Sequence, residues 1–182
     1  ACSCLASGVG RRWLRSSLAR VHWRLSTLQV QHPPFDGSVV LRNSGFKLAP
    51  VDTNLCPGGF NNLNPDFHAL CVQAAMTAVE KICPEASNAL LIPENHTRNA
   101  FYMQNVATLA RILRHAGMNV RIGSMLPGLT APLNVDMPDG RKLTLEPLKR
   151  SGNRLGLDGF DPCVVLLNND LSAGIPDMLR NI

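Results

Sequence analysis

Acidic residues are missing from the first 35 positions of this 182-residue chain. Five arginines stand there instead: Arg11, Arg12, Arg15, Arg20 and Arg24. Subtracting these five from the 18 Lys and Arg of the chain leaves 13 basic residues against 13 acidic ones over 36–182. The formal charge of +5 therefore belongs to an N-terminal arm, and the rest is neutral. A neutral body argues against a nucleic-acid partner. Long apolar runs are also missing. The longest, such as Cys163 to Leu167, are strand-sized, too short to cross a bilayer, so no membrane partner is expected. The first 30 residues lack a continuous apolar stretch, which argues against a secretory signal. They are Arg-rich, Ser-containing and acid-free, as mitochondrial transit segments are; a surface helix or a leader is the plainer reading. The chain opens on Ala1 rather than Met, consistent with a start upstream.

Chemical signatures are scarce as well. The six cysteines are scattered and include no C-x-x-C, so neither a disulfide framework nor a zinc site is expected. Reduced thiols in the cytoplasm are the simplest reading. Pro57-Gly58-Gly59-Phe60 is Gly-rich but lacks the Lys and Ser/Thr of a P-loop, and G-x-G-x-x-G and G-x-S-x-G are absent. No acidic cluster is adequate to hold Mg²⁺. His68 and His115 fall on predicted helices and read as surface or packing residues. Aromatics make up 5%, so the core must be mostly aliphatic, while 45% hydrophobic content excludes an ordinary disordered chain.

What is present is periodic. Residues 11–28 carry Trp13, Leu14, Leu18, Val21 and Leu25 at spacings of mostly three and four, which predicts an amphipathic helix. Val39–Leu41 and Phe46–Val51 read as extended segments. Asn64-Pro65 predicts a helix start, with a stripe of Phe67, Leu70, Cys71, Ala74, Ala78 and Ile82 and an end near Cys83-Pro84. Asn88–Ile92 reads as a strand. Thr97 is placed to cap a second helix running to about Ala116, with Tyr102, Val106, Leu109, Ala110 and Leu113 inward and Gly117 as its stop. Asn119–Ile122 completes a βαβ unit, which implies parallel strands. Asp139-Gly140 predicts a hairpin between 133–135 and 143–145. Residues 152–159 read as loop, Val164–Leu167 as a buried strand and 171–182 as the start of a further helix. The expected fold is α/β: an open, mostly parallel sheet with flanking helices and an inserted β-hairpin.

Four polar clusters each follow a predicted strand: Asp52-Thr53-Asn54, Glu94 to Asn99, Gly123-Ser124, and Asn168 to Ser172. If the strands are parallel neighbours, the clusters meet beyond one sheet edge, where open α/β sheets bind ligands. Asn, Thr, Ser and backbone amides suit carboxylate and ammonium groups. Arg98, Arg121 and Arg154 can pair a carboxylate, and Asp52, Glu94 or Asp170 an amino group. The expected ligand is an amino acid or small peptide.

Several long strings carry a resemblance. Phe46 to Asn64 (FKLAPVDTNLCPGGFNNLN), Leu91 to Asn99 (LIPENHTRN), Asn119 to Ser124 (NVRIGS), Gly152 to Gly156 (GNRLG) and Leu166 to Gly174 (LLNNDLSAG) resemble the proteobacterial type of glutamate–cysteine ligase. The resemblance covers roughly 33–182 and departs at Cys56, where Phe is expected. It implies that L-glutamate, L-cysteine and ATP are joined in γ-glutamylcysteine synthesis through a γ-glutamyl phosphate, with Mg²⁺ screening the phosphates. It also implies a substrate lobe of the kind that precedes an ATP-grasp domain. Residues 1–34 then form a basic arm and 35–182 the substrate-binding lobe, with the ATP and Mg²⁺ sites expected beyond Ile182 and the chain alone inactive. The expected substrate surface is Asp52, Thr53, Asn54, Asn61, Asn62, Glu94, Asn95, Arg98, Arg121, Ser124, Arg154, Asn168, Asn169 and Asp170. The rival expectation is a non-catalytic amino-acid-binding module.

Overall fold

The computed structural model describes residues 38–182 apart from 44, 46, 55–57, 170, 172 and 173. The helix predicted over 11–28 and Asp170 lie outside the described residues. Strands β1 (Ser38–Asn43) and β2 (Leu48–Asn54) pair antiparallel, with an irregularity between Val40 and Leu41. Among the described residues they form a ribbon of two strands, separate from the main sheet. Two 3-10 turns, Phe60–Asn62 and Pro65–Phe67, lead into helix α1 (His68–Ile82). The predicted Asn-Pro start is there. The Asn64 side chain accepts the Asp66 N–H at 3.0 Å, and Pro65 sits where a missing N–H costs nothing.

The central unit is strand β3 (Asn88–Pro93), helix α2 (Ala100–His115) and strand β4 (Asn119–Ser124), with β3 and β4 parallel. The cap of α2 is Asn99 rather than Thr97: its Oδ1 accepts the Tyr102 N–H at 3.1 Å. Thr97 lies too early in the chain to reach the first free helix amides. The other end follows the sequence. Gly117 adopts φ 92, Met118 N–H donates to the Leu113 carbonyl and Gly117 N–H to that of Arg114. This pattern closes a helix on a left-handed residue, and glycine adopts that conformation without a Cβ penalty.

Strands β5 (Leu133–Asp136) and β6 (Lys142–Pro147) form the expected hairpin, which turns through Asp139-Gly140. Residues 152–159 are not all loop. Strands β7 (Lys149–Ser151) and β8 (Arg154–Gly156) make a second short ribbon, closed by Gly152 at φ 60. Three-residue strands carry too little alternation to be read as periodic. Strand β9 (Val164–Asn168) completes a five-stranded sheet of order β5-β6-β4-β3-β9, parallel except for the β5 edge. The helix expected over 171–182 is absent from its described part, which holds only the 3-10 turn Asp177–Leu179. Gly174 at φ 100 and the extended Pro176 interrupt helical geometry there.

From Ala89 onward strand β3 is apolar because both of its faces are covered. Ala89 and Leu91 face α2 with Met103, Val106, Leu109, Ala110, Ile112 and Leu113. Leu90 and Ile92 point the other way, onto Leu148, Leu155, Leu157, Phe160 and Leu179. Helix α1 packs through Cys71, Val72, Ala75 and Val79, one position away from the predicted stripe. Phe67 and Leu70 are instead more than half exposed. A helix with apolar residues nearly all round offers more than one stripe, and packing selects between them.

Candidate functional site

Three of the four polar clusters do converge. Strands β4, β3 and β9 are adjacent and parallel, so their C-terminal ends bring Gly123-Ser124, Glu94 to Asn99 and Asn168-Asn169 to one edge. The single tyrosine of the chain ties two of them together. The Tyr102 hydroxyl accepts the Glu94 N–H at 2.8 Å. It donates toward Asn168, whose carbonyl oxygen lies at 2.9 Å and Oδ1 at 3.2 Å. Asn95 Nδ2 reaches the Met125 carbonyl at 3.5 Å, a long contact that joins the β3 loop to the end of β4. The buried Ser124 accepts the Leu126 N–H on its hydroxyl and so turns the chain after β4. Asn169 Oδ1 does the same for the Leu171 N–H at 2.9 Å.

Beside this edge lies an open cleft of about 900 Å³, lined by residues 95–101 and Leu126. Helix α2 begins in its wall, so free helix amides and the positive end of the helix dipole are exposed to it. Arg98 is exposed there and makes no ion pair among the described residues. Glu94 holds His96 at 2.6 Å, and the His96 ring stands edge-on to Tyr102. The wall thus offers helix amides and Arg98, which has no ion-pair partner among the described residues; Glu94 precedes the lining residues in the chain and is held by His96.

The remaining expected residues are placed elsewhere. Asp52, Thr53 and Asn54 do not follow a parallel strand; they are the last residues of β2, paired with β1 outside the five-stranded sheet. Asn61 and Asn62 sit in the 3-10 turn at Phe60, held against α2 by Asn105, whose Oδ1 accepts the Phe60 N–H at 2.8 Å. Arg121 points to the opposite face, where Glu146 grips it with two hydrogen bonds above the Phe160 ring. Those bonds hold its guanidinium pKa above the ordinary value. Arg154, the first residue of β8, pairs with Asp161. Strand register decides this: Arg121 alternates with Val120 and Ile122, which face α2, so its side chain must leave by the other side.

The sequence reading missed Tyr102 as a link and Asn105 altogether. A polar residue in the middle of an apolar helix was the available signal for Asn105, which is 2% exposed. Its Nδ2 has no partner among the described residues, so only the bond to Phe60 offsets the cost of burying the amide. Asn105→Ala is expected to free the turn at Phe60 and to cost about 1–2 kcal/mol, since one half of the buried amide was unpaired already. Amide exchange at Phe60 reads the release directly; unaltered protection there would mean that the turn is held by something else.

A model of the glutamate-cysteine ligase family matches residues 11–182. The chain belongs to that family. The match begins at residue 11, further toward the N-terminus than the resemblance over roughly 33–182. The crystal structure of a candidate gamma-glutamylcysteine synthetase from Methylobacillus flagellatus KT is 56% identical, with a TM-score of 0.80. The similarity covers 100% of this chain and 44% of that one, so this ligase-family chain spans less than half of the relative's length. No curated protein matches. Among the described residues of this family member, no group of three or more His, Cys, Asp and Glu side chains could hold a metal ion. No helix among them is long and apolar enough to cross a membrane.

Proposed function

We propose that the chain supplies the amino-acid-binding part of an ATP-dependent glutamate–cysteine ligase, which joins L-glutamate and L-cysteine as γ-glutamylcysteine for glutathione biosynthesis. Family membership supports the reaction class. The observation that carries the assignment to these residues is the cleft at the start of α2, with Arg98 at its wall. A substrate carboxylate would meet the Arg98 guanidinium and the helix amides, and its ammonium group would meet Glu94 or the Asn95 side-chain carbonyl. Asn168, Asn169 and Ser124 brace the loops around this cleft. Asn61, Asn62 and the Asp52–Asn54 strand end belong to the proposal only as a second surface; Asp170 stays in it as a proposed substrate residue.

ATP and Mg²⁺ are part of the proposed reaction, but the described residues do not fit the metal ion. Mg²⁺ takes carboxylate, phosphate and water oxygens, and no acidic cluster is present among the described residues. No nucleotide step is therefore assigned to these side chains.

Arg98→Ala, measured in an active ligase that contains this chain, is expected to raise KM for one amino acid about tenfold or more. A hydrogen bond to a charged group is worth about 1.5–3 kcal/mol, and kcat should change less. Unchanged KM for both amino acids would remove Arg98 from the site. Calorimetric binding of glutamate or cysteine, with no γ-glutamylcysteine formed by any ligase containing the chain, would favour a non-catalytic binding module.

A further inference from the structure

The first residue of α1 and the last of α2 meet in a feature that the amino-acid cleft does not use. His68 Nε2 lies 2.8 Å from His115 Nδ1, with ring centroids 5.0 Å apart and ring planes at 85°. His115 is exposed and His68 half-buried, so the paired nitrogens sit at the surface. We propose that His68 and His115 form a two-imidazole binding site for a late first-row divalent cation of the Ni²⁺ or Cu²⁺ type.

The geometry selects the class of ion. Metal–imidazole bonds are about 2.0–2.1 Å long, so two imidazoles at adjacent corners of a square or octahedron place their nitrogens about 2.9 Å apart. Tetrahedral coordination, the habit of Zn²⁺, needs about 3.4 Å and a wider opening of the pair. The observed separation is that of an N–H···N hydrogen bond and lies close to the adjacent-corner spacing, so binding needs the two rings to turn toward a common ion but not to move apart. Ligand chemistry agrees: imidazole suits Ni²⁺ and Cu²⁺, whereas Mg²⁺ prefers oxygen. The site is therefore separate in chemistry from any Mg²⁺ that the ligase reaction uses. No third His, Cys, Asp or Glu joins the pair among the described residues, so water fills the other positions.

Metal binding requires a lone pair on both facing nitrogens. In the neutral pair one of them carries the shared proton. That ring gives up this N–H and takes a proton at its other nitrogen, so each imidazole stays neutral and no net proton is released. The side chains belong to different helices, 47 positions apart in sequence. A bound ion thus acts as a clip between α1 and α2.

Titration of the whole chain with Ni²⁺ in a thiol-free, non-chelating buffer tests this. Ni²⁺ is expected to bind with one equivalent removed in the double variant His68→Ala/His115→Ala, and with affinity at least about tenfold lower in each single variant, a loss typical of disturbed metal sites. Binding to the native state alone should also raise Tm of the parent chain and leave the double variant unmoved. The conservative double variant His68→Gln/His115→Gln guards against a folding defect: a native circular dichroism spectrum with the nickel equivalent lost supports the site. Equal nickel stoichiometry and affinity in parent and double variants would overturn it, as would the absence of binding to the parent chain.

Discussion

Tyr102→Phe removes one oxygen atom and is expected to separate the ends of two strands. The Glu94 N–H loses its acceptor, and Asn168 loses the hydroxyl that approaches both its carbonyl and its side chain. The ring itself can stay, because Phe has nearly the same shape, so packing is not the quantity perturbed. A half-buried donor left unmade costs about 1–3 kcal/mol. The second effect falls on the cleft. Glu94 and Asn95 begin the loop that leads to Arg98, so a looser Glu94 lets that loop drift from the start of α2. In an active ligase, KM for the bound amino acid should rise while the secondary structure stays intact. Hydrogen exchange at the Glu94 amide separates this from a general loss of stability: the Glu94 amide should lose protection well before the β3 amides of Leu90 and Leu91. Equal protection of Glu94 in both proteins would show that the tyrosine hydroxyl does not hold this loop.

Leu91→Ala is expected to have the largest effect on stability. Leu91 is 0% exposed and sits on the interior strand β3 between β4 and β9, facing α2. Its removal opens a cavity bounded by a sheet and a helix that cannot both collapse. Comparable Leu→Ala changes cost about 2.7–5 kcal/mol. For a domain of this size that lowers Tm by roughly 10 °C. Leu91→Met, which keeps the volume, should cost less than about 1.5 kcal/mol. A thermal melt of both variants checks the order. A Leu91→Ala midpoint within a degree of the parent would place the core elsewhere.

Much of the fold was legible in the chain because its determinants are local. Asn64-Pro65 marks a helix entry through one side-chain bond two residues away. Gly117 marks a helix end through its own φ. The βαβ unit follows from two apolar runs flanking one helical period, and its chirality and parallel pairing are general consequences of chain geometry. The cluster after Leu90–Ile92 was legible for the same reason: loop residues that follow a parallel strand must lie at its C-terminal end.

The site was only partly legible. The Asp52–Asn54 cluster was read as one more strand end, yet its strand pairs in a separate ribbon, and no local signal says which sheet a strand joins. Arg121 was counted toward the ligand, but the side of the sheet it takes depends on register with Leu90 and on the presence of Glu146 and Phe160. The helix expected over 171–182 failed where Gly174 and Pro176 outweighed a short apolar pattern.

By itself, then, the sequence determined where the charge lies along the chain, the α/β class, the helices of the βαβ unit and its neighbour, and the family strings. These depend on composition, period and near neighbours. Only the tertiary structure decided that three polar clusters share one edge, that Tyr102 links Glu94 to Asn168, and that His68 meets His115. Each of these joins residues far apart in the chain or held by strand order. Such distances are set by how the sheet is assembled and how its faces are covered, and no window of neighbouring residues contains that information.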